Sequence, residues 1–259
     1  MLRPRIIPCL LVRNQGLVKT MKFDEGKYVG DPLNAVRIFN EKEVDEIVVL
    51  DIDATTTGTG PDFKMIGHLA AECRMPLCYG GGVKSVEQAR RIVELGVEKV
   101  ALSSAALESP ELISQIAREI GSQSVVVVLD ARRKLLGRYE VRTHNGRKAT
   151  GKTPAEMARR FEELGAGEIV INSIDNDGTM TGYDEALASS VRAATSLPMT
   201  VLGGAGSLAD IGKLIAKFGI VGAAAGSLFV FKGVYRAVLI NYPRPEEKDQ
   251  LIRTHFPHS

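Results

Sequence analysis

Residues 76–104, PLCYGGGVKSVEQARRIVELGVEKVALSS, decide the fold. They open with a strand-sized apolar run and turn on Gly80-Gly81-Gly82. A segment with helical spacing of apolar residues follows and stops at Leu95-Gly96. A second strand-sized run, through Val100 and Leu102, then ends on Ser103-Ser104. Strand, crossover helix and strand in this order form the unit of a parallel sheet. Residues 198–227, PMTVLGGAGSLADIGKLIAKFGIVGAAAGS, read the same way.

Outward from these two stretches the alternation fills the chain. Strands are expected at 5–12, 46–52, 76–81, 98–103, 124–130, 168–173, 198–203 and 220–226. Helices are expected at 32–41, 62–72, 85–95, 110–120, 154–164, 185–195, 208–218 and 230–240. Ser109-Pro110 and Thr153-Pro154 place a cap before proline, and Leu95-Gly96 and Leu164-Gly165 end helices on glycine. Eight such units in 259 residues, with nearly continuous apolar strands, predict one (β/α)8 TIM barrel over residues 1–259. The interruption is 132–151, where extended segments at 135–143 and 147–150 flank Asn145-Gly146. That dipeptide signals a hairpin, inserted after strand five on the face where barrels hold their active sites.

The halves match. Glu46-Ile47-Val48 returns 122 residues later as Glu168-Ile169-Val170, and Gly81-Gly82 as Gly203-Gly204. Ser103-Ser104 returns as Gly226-Ser227 at 123, and Leu11-Val12-Arg13 as Asp130-Ala131-Arg132 at 119. A half-barrel duplication accounts for all four.

Composition narrows the function. A net charge of +2 argues against nucleic acid as a partner, because such domains carry a concentrated basic excess. Hydrophobic residues at 44% exclude disorder for most of the chain. The longest apolar runs, such as 125–129, are far shorter than the ~20 residues of a bilayer span, and residues 1–5 lead directly into a strand without a signal-peptide core. Three cysteines, Cys9, Cys73 and Cys78, form no even framework, which suggests a reducing cytoplasm. His68, His144, His255 and His258 are scattered without metal-ligand spacing, so neither metal nor cofactor is expected.

Glycines and hydroxyls gather at the expected C-terminal strand ends in two related clusters. One is Gly80-Gly81-Gly82 with Ser103 and Ser104; the other is Gly203-Gly204 with Gly226 and Ser227, beside Asp177-Gly178. Glycine lets backbone N–H groups approach an anion, and a helix N-terminus adds a favourable dipole. Two nests half a barrel apart suit a small molecule with a phosphate at each end, with Gly82 and Ser104 on one and Gly204 and Ser227 on the other. The same glycines also serve tight turns, and Asp177 could equally cap one.

An ordered series of segments carries a resemblance across almost the whole chain: 5–7 with Cys9-Leu10, Val18-Lys19, 30–32, 50–52, 80–82, 126–130, 173–175, 177–179, 182–184 and 203–206. The chain resembles the cyclase subunit of imidazole glycerol phosphate synthase, the ammonia-using barrel and lyase of histidine biosynthesis. The resemblance implies a pair of aspartates as general acid and base, one ending strand one and its mate ending strand five. Asp130 matches the second, but Leu11 occupies the first position, and leucine can neither take nor give a proton. Lys19 matches a family lysine on a mobile loop over the site. Arg5, Glu46, Lys99 and Glu168 match four charges that gate ammonia arriving from a glutaminase docked on the N-terminal barrel face. Their position also suits a structural salt-bridge ring. No Gly-x-Cys-x-Gly elbow occurs, so ammonia has to come from a partner or from solution.

Two functions are consistent with this pattern. One is a cyclase subunit in histidine biosynthesis. The other is a divergent paralogue that relays ammonia for acetamidino modification of surface-polysaccharide sugars. Leu11, with Ser103 and Leu202 where the family has asparagine and serine, favours the second.

Overall fold

Parallel pairing runs from each barrel strand to the next and closes without an edge. In the computed structural model the eight strands are Arg5–Arg13, Ile47–Asp51, Leu77–Gly80, Lys99–Leu102, Val125–Arg133, Glu168–Ser173, Met199–Leu202 and Gly222–Ala225. Strand eight returns to strand one with Arg5 opposite Gly222, and strands five and six meet with Asp130 opposite Asn172. The structure describes residues 3–256; Met1, Leu2 and residues 257–259, including His258, lie outside the described residues.

Seven of the expected helices form between strands: Pro32–Glu41, Phe63–Glu72, Val86–Glu94, Glu111–Ile120, Pro154–Glu163, Glu185–Arg192 and Leu208–Phe218. Their starts are chemically marked. The Thr153 hydroxyl accepts from the Glu156 N–H at 3.2 Å, and Ser85 and Ser207 cap their helices in the same manner. Ser109 does not: its carbonyl, not its hydroxyl, holds the turn, and Pro110 precedes the helix with no side-chain cap. The apolar faces of these helices pack on the outer side of the sheet around Phe39, Leu69, Phe161 and Ile215, all fully buried. A second, smaller cluster fills the barrel itself, with Ile7, Val48, Cys78, Ala101, Val126 and Val170 among its members. Among the described residues no helix is long and apolar enough to cross a membrane.

The eighth helix is a correction. The expected helix at 230–240 is replaced by a short helix, Ser227–Val230, and a two-stranded ribbon, Phe231–Lys232 with Ala237–Val238. Val230 and Val234 have helical spacing, yet no core remains for both: Val230 is 1% exposed and Val234 97%. Gly233, at φ +73°, turns the chain instead. The last helix, Pro245–His255, begins on a proline and packs on Leu208–Phe218.

The duplication is visible in three dimensions. Residues 6–14 and 125–133 have the same sequence of buried, half-buried and exposed positions. Each carries an antiparallel extension at the open end. After strand one this is Gly16–Lys19 with Lys27–Gly30, two strands that the sequence did not announce. After strand five it is the expected hairpin, shorter than anticipated, with Tyr139–Thr143 paired to Lys148–Ala149. Positive φ at His144, Asn145 and Gly146 makes its turn.

Candidate active site

At the open end every barrel strand offers one inward position. In strand order these are Leu11, Leu50, Gly80, Ser103, Asp130, Asn172, Leu202 and Gly226. The mouth therefore has two characters. Strands four to six contribute Ser103, Asp130 and Asn172, and the remaining strands contribute leucine or glycine. Leu11 and Leu50 pack on the cluster that fills the barrel below.

Asp130 is the centre of the polar half. Its Oδ1 accepts from Asn172 Nδ2 at 2.9 Å and its Oδ2 from Ser103 Oγ at 3.3 Å. Burial pushes its carboxyl up to about 6, against the pull of those two hydrogen bonds. A carboxyl poised there exchanges protons near neutral pH, as a general acid or base requires. Across the mouth, Leu11 offers nothing to answer it. Asn172 escaped the sequence reading, although it stands 122 residues after Leu50 and alternates inward with Glu168 and Val170. Its Oδ1 is buried without a partner.

Lys19 is not a solvated loop lysine. It ends the strand Gly16–Lys19, is 6% exposed, and donates from Nζ to the Cys9 carbonyl at 2.6 Å. Burial lowers its pKa, while neighbouring Cys9 and Asp177 act in the opposite direction. Cys9 points inward, and burial drives its thiol up to about 11, which makes it an inert filler. Asp177 faces the loop after strand one, not the nest: its carboxylate accepts from Thr20 Oγ1 at 2.9 Å and from the Phe23 N–H at 3.4 Å.

The glycine clusters flank this centre. Gly81 and Gly82, and Gly203 and Gly204, all have positive φ. At Gly204 a Cβ would lie 2.1 Å from the Gly182 carbonyl oxygen, so backbone packing alone demands glycine there. Beside the first nest the helix Ser104–Glu108 begins, and beside the second Ser227–Val230. One pocket is lined by Gly82, Ser103, Ser104, Asp177, Gly178, Gly204, Gly226, Ser227, Lys19 and Asp130 together, and by Leu11. The inserted hairpin overhangs it, since Asn145 Nδ2 donates to the Ile52 carbonyl at 2.7 Å. Among the described residues no three His, Cys, Asp or Glu converge as metal ligands.

The four charges lie at the opposite end and close it. Arg5 bonds to Glu46 and, at 2.7 Å, to Glu168; Lys99 Nζ lies 2.9 Å from Glu46 and 2.8 Å from Glu168. Thr200 Oγ1 adds a 2.6 Å hydrogen bond to Glu168. Burial alone would raise the Glu168 carboxyl, but Arg5 and Lys99 outweigh it and hold the group below its ordinary value.

Fold and site together define a class: a duplicated (β/α)8 barrel with an ion-pair floor, an apolar interior and a glycine-flanked acid at its mouth. The chain belongs to the histidine biosynthesis protein family, whose pattern matches residues 5–236. It is 58% identical over 253 residues to a protein of Vibrio vulnificus (strain YJ016) provisionally named an imidazole glycerol phosphate synthase subunit, covering 97% of both chains. A provisionally named HisF subunit of Leptospira interrogans is also 58% identical, over 97% of this chain and all of its own. The imidazole glycerol phosphate synthase subunit HisF of Lactococcus lactis subsp. cremoris (strain SK11) is 41% identical, over 99% of this chain and 96% of its own.

Proposed function

We propose that this HisF-like barrel relays ammonia for the amidation of a sugar, the acetamidino modification of surface polysaccharide, rather than closing the imidazole ring of histidine biosynthesis. Ammonia comes from a glutaminase docked under the ring of Arg5, Glu46, Lys99 and Glu168. Neutral ammonia crosses the apolar interior, where an ammonium ion would bear the full cost of desolvation. It emerges beside Asp130, with Lys19 over the mouth and the two nests holding a ligand with two phosphate groups. Ser103 and Leu202 also depart from the family pattern, but one departure carries the reading: Leu11 stands where the partner of Asp130 would stand. Water is a poor replacement for that acid against Leu11 and Leu50.

General acid–base help contributes roughly 10²–10⁴-fold per positioned group. Steady-state cyclisation in saturating ammonium, which bypasses the glutaminase, should therefore run slower than in two-aspartate relatives by about that factor. Asp130→Asn should abolish the residue, and Leu11→Asp should restore part of it. A family-like rate from the unmodified chain would refute the reading and return it to histidine biosynthesis. Crystals soaked in sulfate should show anions on both nests; two empty nests would leave the glycines as turn residues only.

A further inference from the structure

Exposed apolar side chains are not spread evenly over this barrel. Among the described residues eight large ones are exposed, and only Ile220 precedes a barrel strand at the closed end. The other seven lie on segments that follow strands: Met21 and Tyr28 after strand one, Leu135 after strand five, and four after strand eight. Leu135, Val234 and Tyr235 are 94%, 97% and 98% exposed. The loop after strand six, residues 174–184, ties these segments into one rim. Asp175 accepts from the Arg133 N–H at 2.7 Å, the Asp177 carbonyl from the Lys22 N–H at 2.9 Å, and the Gly178 carbonyl from Arg236 at 3.1 Å.

The same rim is strongly basic. Residues 132–152 hold eight Lys and Arg against the single Glu140, an excess of seven in a chain whose net charge is +2. Arg133, Arg138, Arg147 and Lys148 are exposed, with no ion-pair partner among the described residues. Cations and apolar tips around an open pocket match an acidic surface with an apolar centre. A second copy of this chain would bring like charge against like. Asp24 and Glu25, exposed beside Met21, interrupt the basic field that a uniformly anionic bilayer or phosphate backbone would contact, whereas a folded protein can set its own cations against them. Aliphatic Leu135 and Val234 also give a base nothing to stack on.

We propose that this rim docks an acidic protein, the sugar-amidating enzyme that takes up the ammonia; the assignment of that partner rests on the amidation reading above. A covered mouth has a physical purpose, because ammonia released into water is protonated and lost as a nucleophile.

The test uses the full chain with a glutaminase and a sugar-amidating enzyme from the same genome. Binding of that enzyme to the barrel should be micromolar or tighter and should weaken as salt rises. Leu135→Ser with Tyr235→Ser, and separately Arg138→Glu with Arg147→Glu, should each weaken it about tenfold or more, while Ile220→Ser changes nothing. Folding of each variant is checked by its thermal transition. In the rim variants glutamine-fed amidation should fall and ammonium-fed amidation should stay, since none of these residues lines the pocket. No complex at tens of micromolar, or wild-type glutamine-fed transfer in the rim variants, overturns the docking. So does tighter, equally mutation-sensitive binding to phosphatidylserine vesicles or to a single-stranded oligonucleotide. Intact docking without any glutamine-fed amidation would instead sink the amidation reading and leave the rim as an interface.

Discussion

Asp130 shows how one residue couples function to stability. Its carboxyl titrates at about 6 in the folded chain against 3.8 for an ordinary aspartate, with burial as the leading cause. A folded pKa above the unfolded one means that folding binds the proton. The corresponding stability is fully present below about pH 4 and is lost as pH rises through about 6. By linkage the difference amounts to roughly 2–3 kcal/mol. Asp130→Asn keeps two oxygen or nitrogen positions facing Asn172 and Ser103 but removes the titration. Urea midpoints should therefore rise for the variant relative to the unmodified chain between about pH 4.5 and 7, then run parallel. Parallel profiles throughout that window would show that Asp130 is ionised without penalty. The half-chain offsets made Leu11 and Asp130 legible as a pair, because position 119 residues on is a matter of counting. Asn172 was not legible as their neighbour, since its offset mate Leu50 is apolar and draws no attention to the position. Nor was the burial of Lys19, which depends on a strand pairing that four residues of sequence cannot announce.

Elements that pack on the outer face of the barrel sheet were readable, and those that finish the chain were not. Seven helices have an apolar stripe with a job, the covering of adjacent strands. The stretch after strand eight has the stripe without the job, because the closing helix Pro245–His255 takes the place against Leu208–Phe218. That helix is fastened through Lys248, 5% exposed, whose Nζ donates to Asp45 at 2.8 Å and to the Glu43 carbonyl at 3.0 Å. Tyr242, just before it, donates to the Ile6 carbonyl at 2.8 Å. Asp45 in turn accepts from the Ile6 N–H, so one carboxylate joins the last helix to the first strand. Removing one partner of a buried pair costs ~3–5 kcal/mol, reduced here because Arg3 also reaches Asp45. Lys248→Met should thus cost about 2–3 kcal/mol in chemical denaturation, allowing for that second cation. Lys217→Met breaks a pair of comparable length whose side chains are each 43% exposed, and should cost less than about 1 kcal/mol. Equal losses for the two variants would mean that the C-terminal strap adds nothing beyond a surface ion pair.

Across the whole molecule, the floor ring joins strands one, two, four and six, so it senses barrel closure as well as any passage through it. Two glutamates 122 residues apart face two cations, and each cation touches both glutamates. With the ring complete, Glu168 is held below 4.5 because Arg5 and Lys99 outweigh burial. A lowered folded pKa gives stability that is present above about pH 4.5 and lost as pH falls through the folded value. Lys99→Ala removes one cation and leaves two buried carboxylates on Arg5 alone. Burial, the largest influence on Glu168, then outweighs the one remaining cation, and the folded pKa of Glu168 moves above its unfolded value. The sign of the pH effect reverses: the variant should lose about 2–4 kcal/mol at neutral pH and recover part of it between about pH 6 and 4, where the unmodified chain is beginning to weaken. Lys99→Arg, which keeps the charge, should behave like the unmodified chain. Denaturation midpoints across that range separate the outcomes. If Lys99→Ala weakens in step with the unmodified chain as pH falls, water already screens the ring and closes the floor in place of the missing ammonium group.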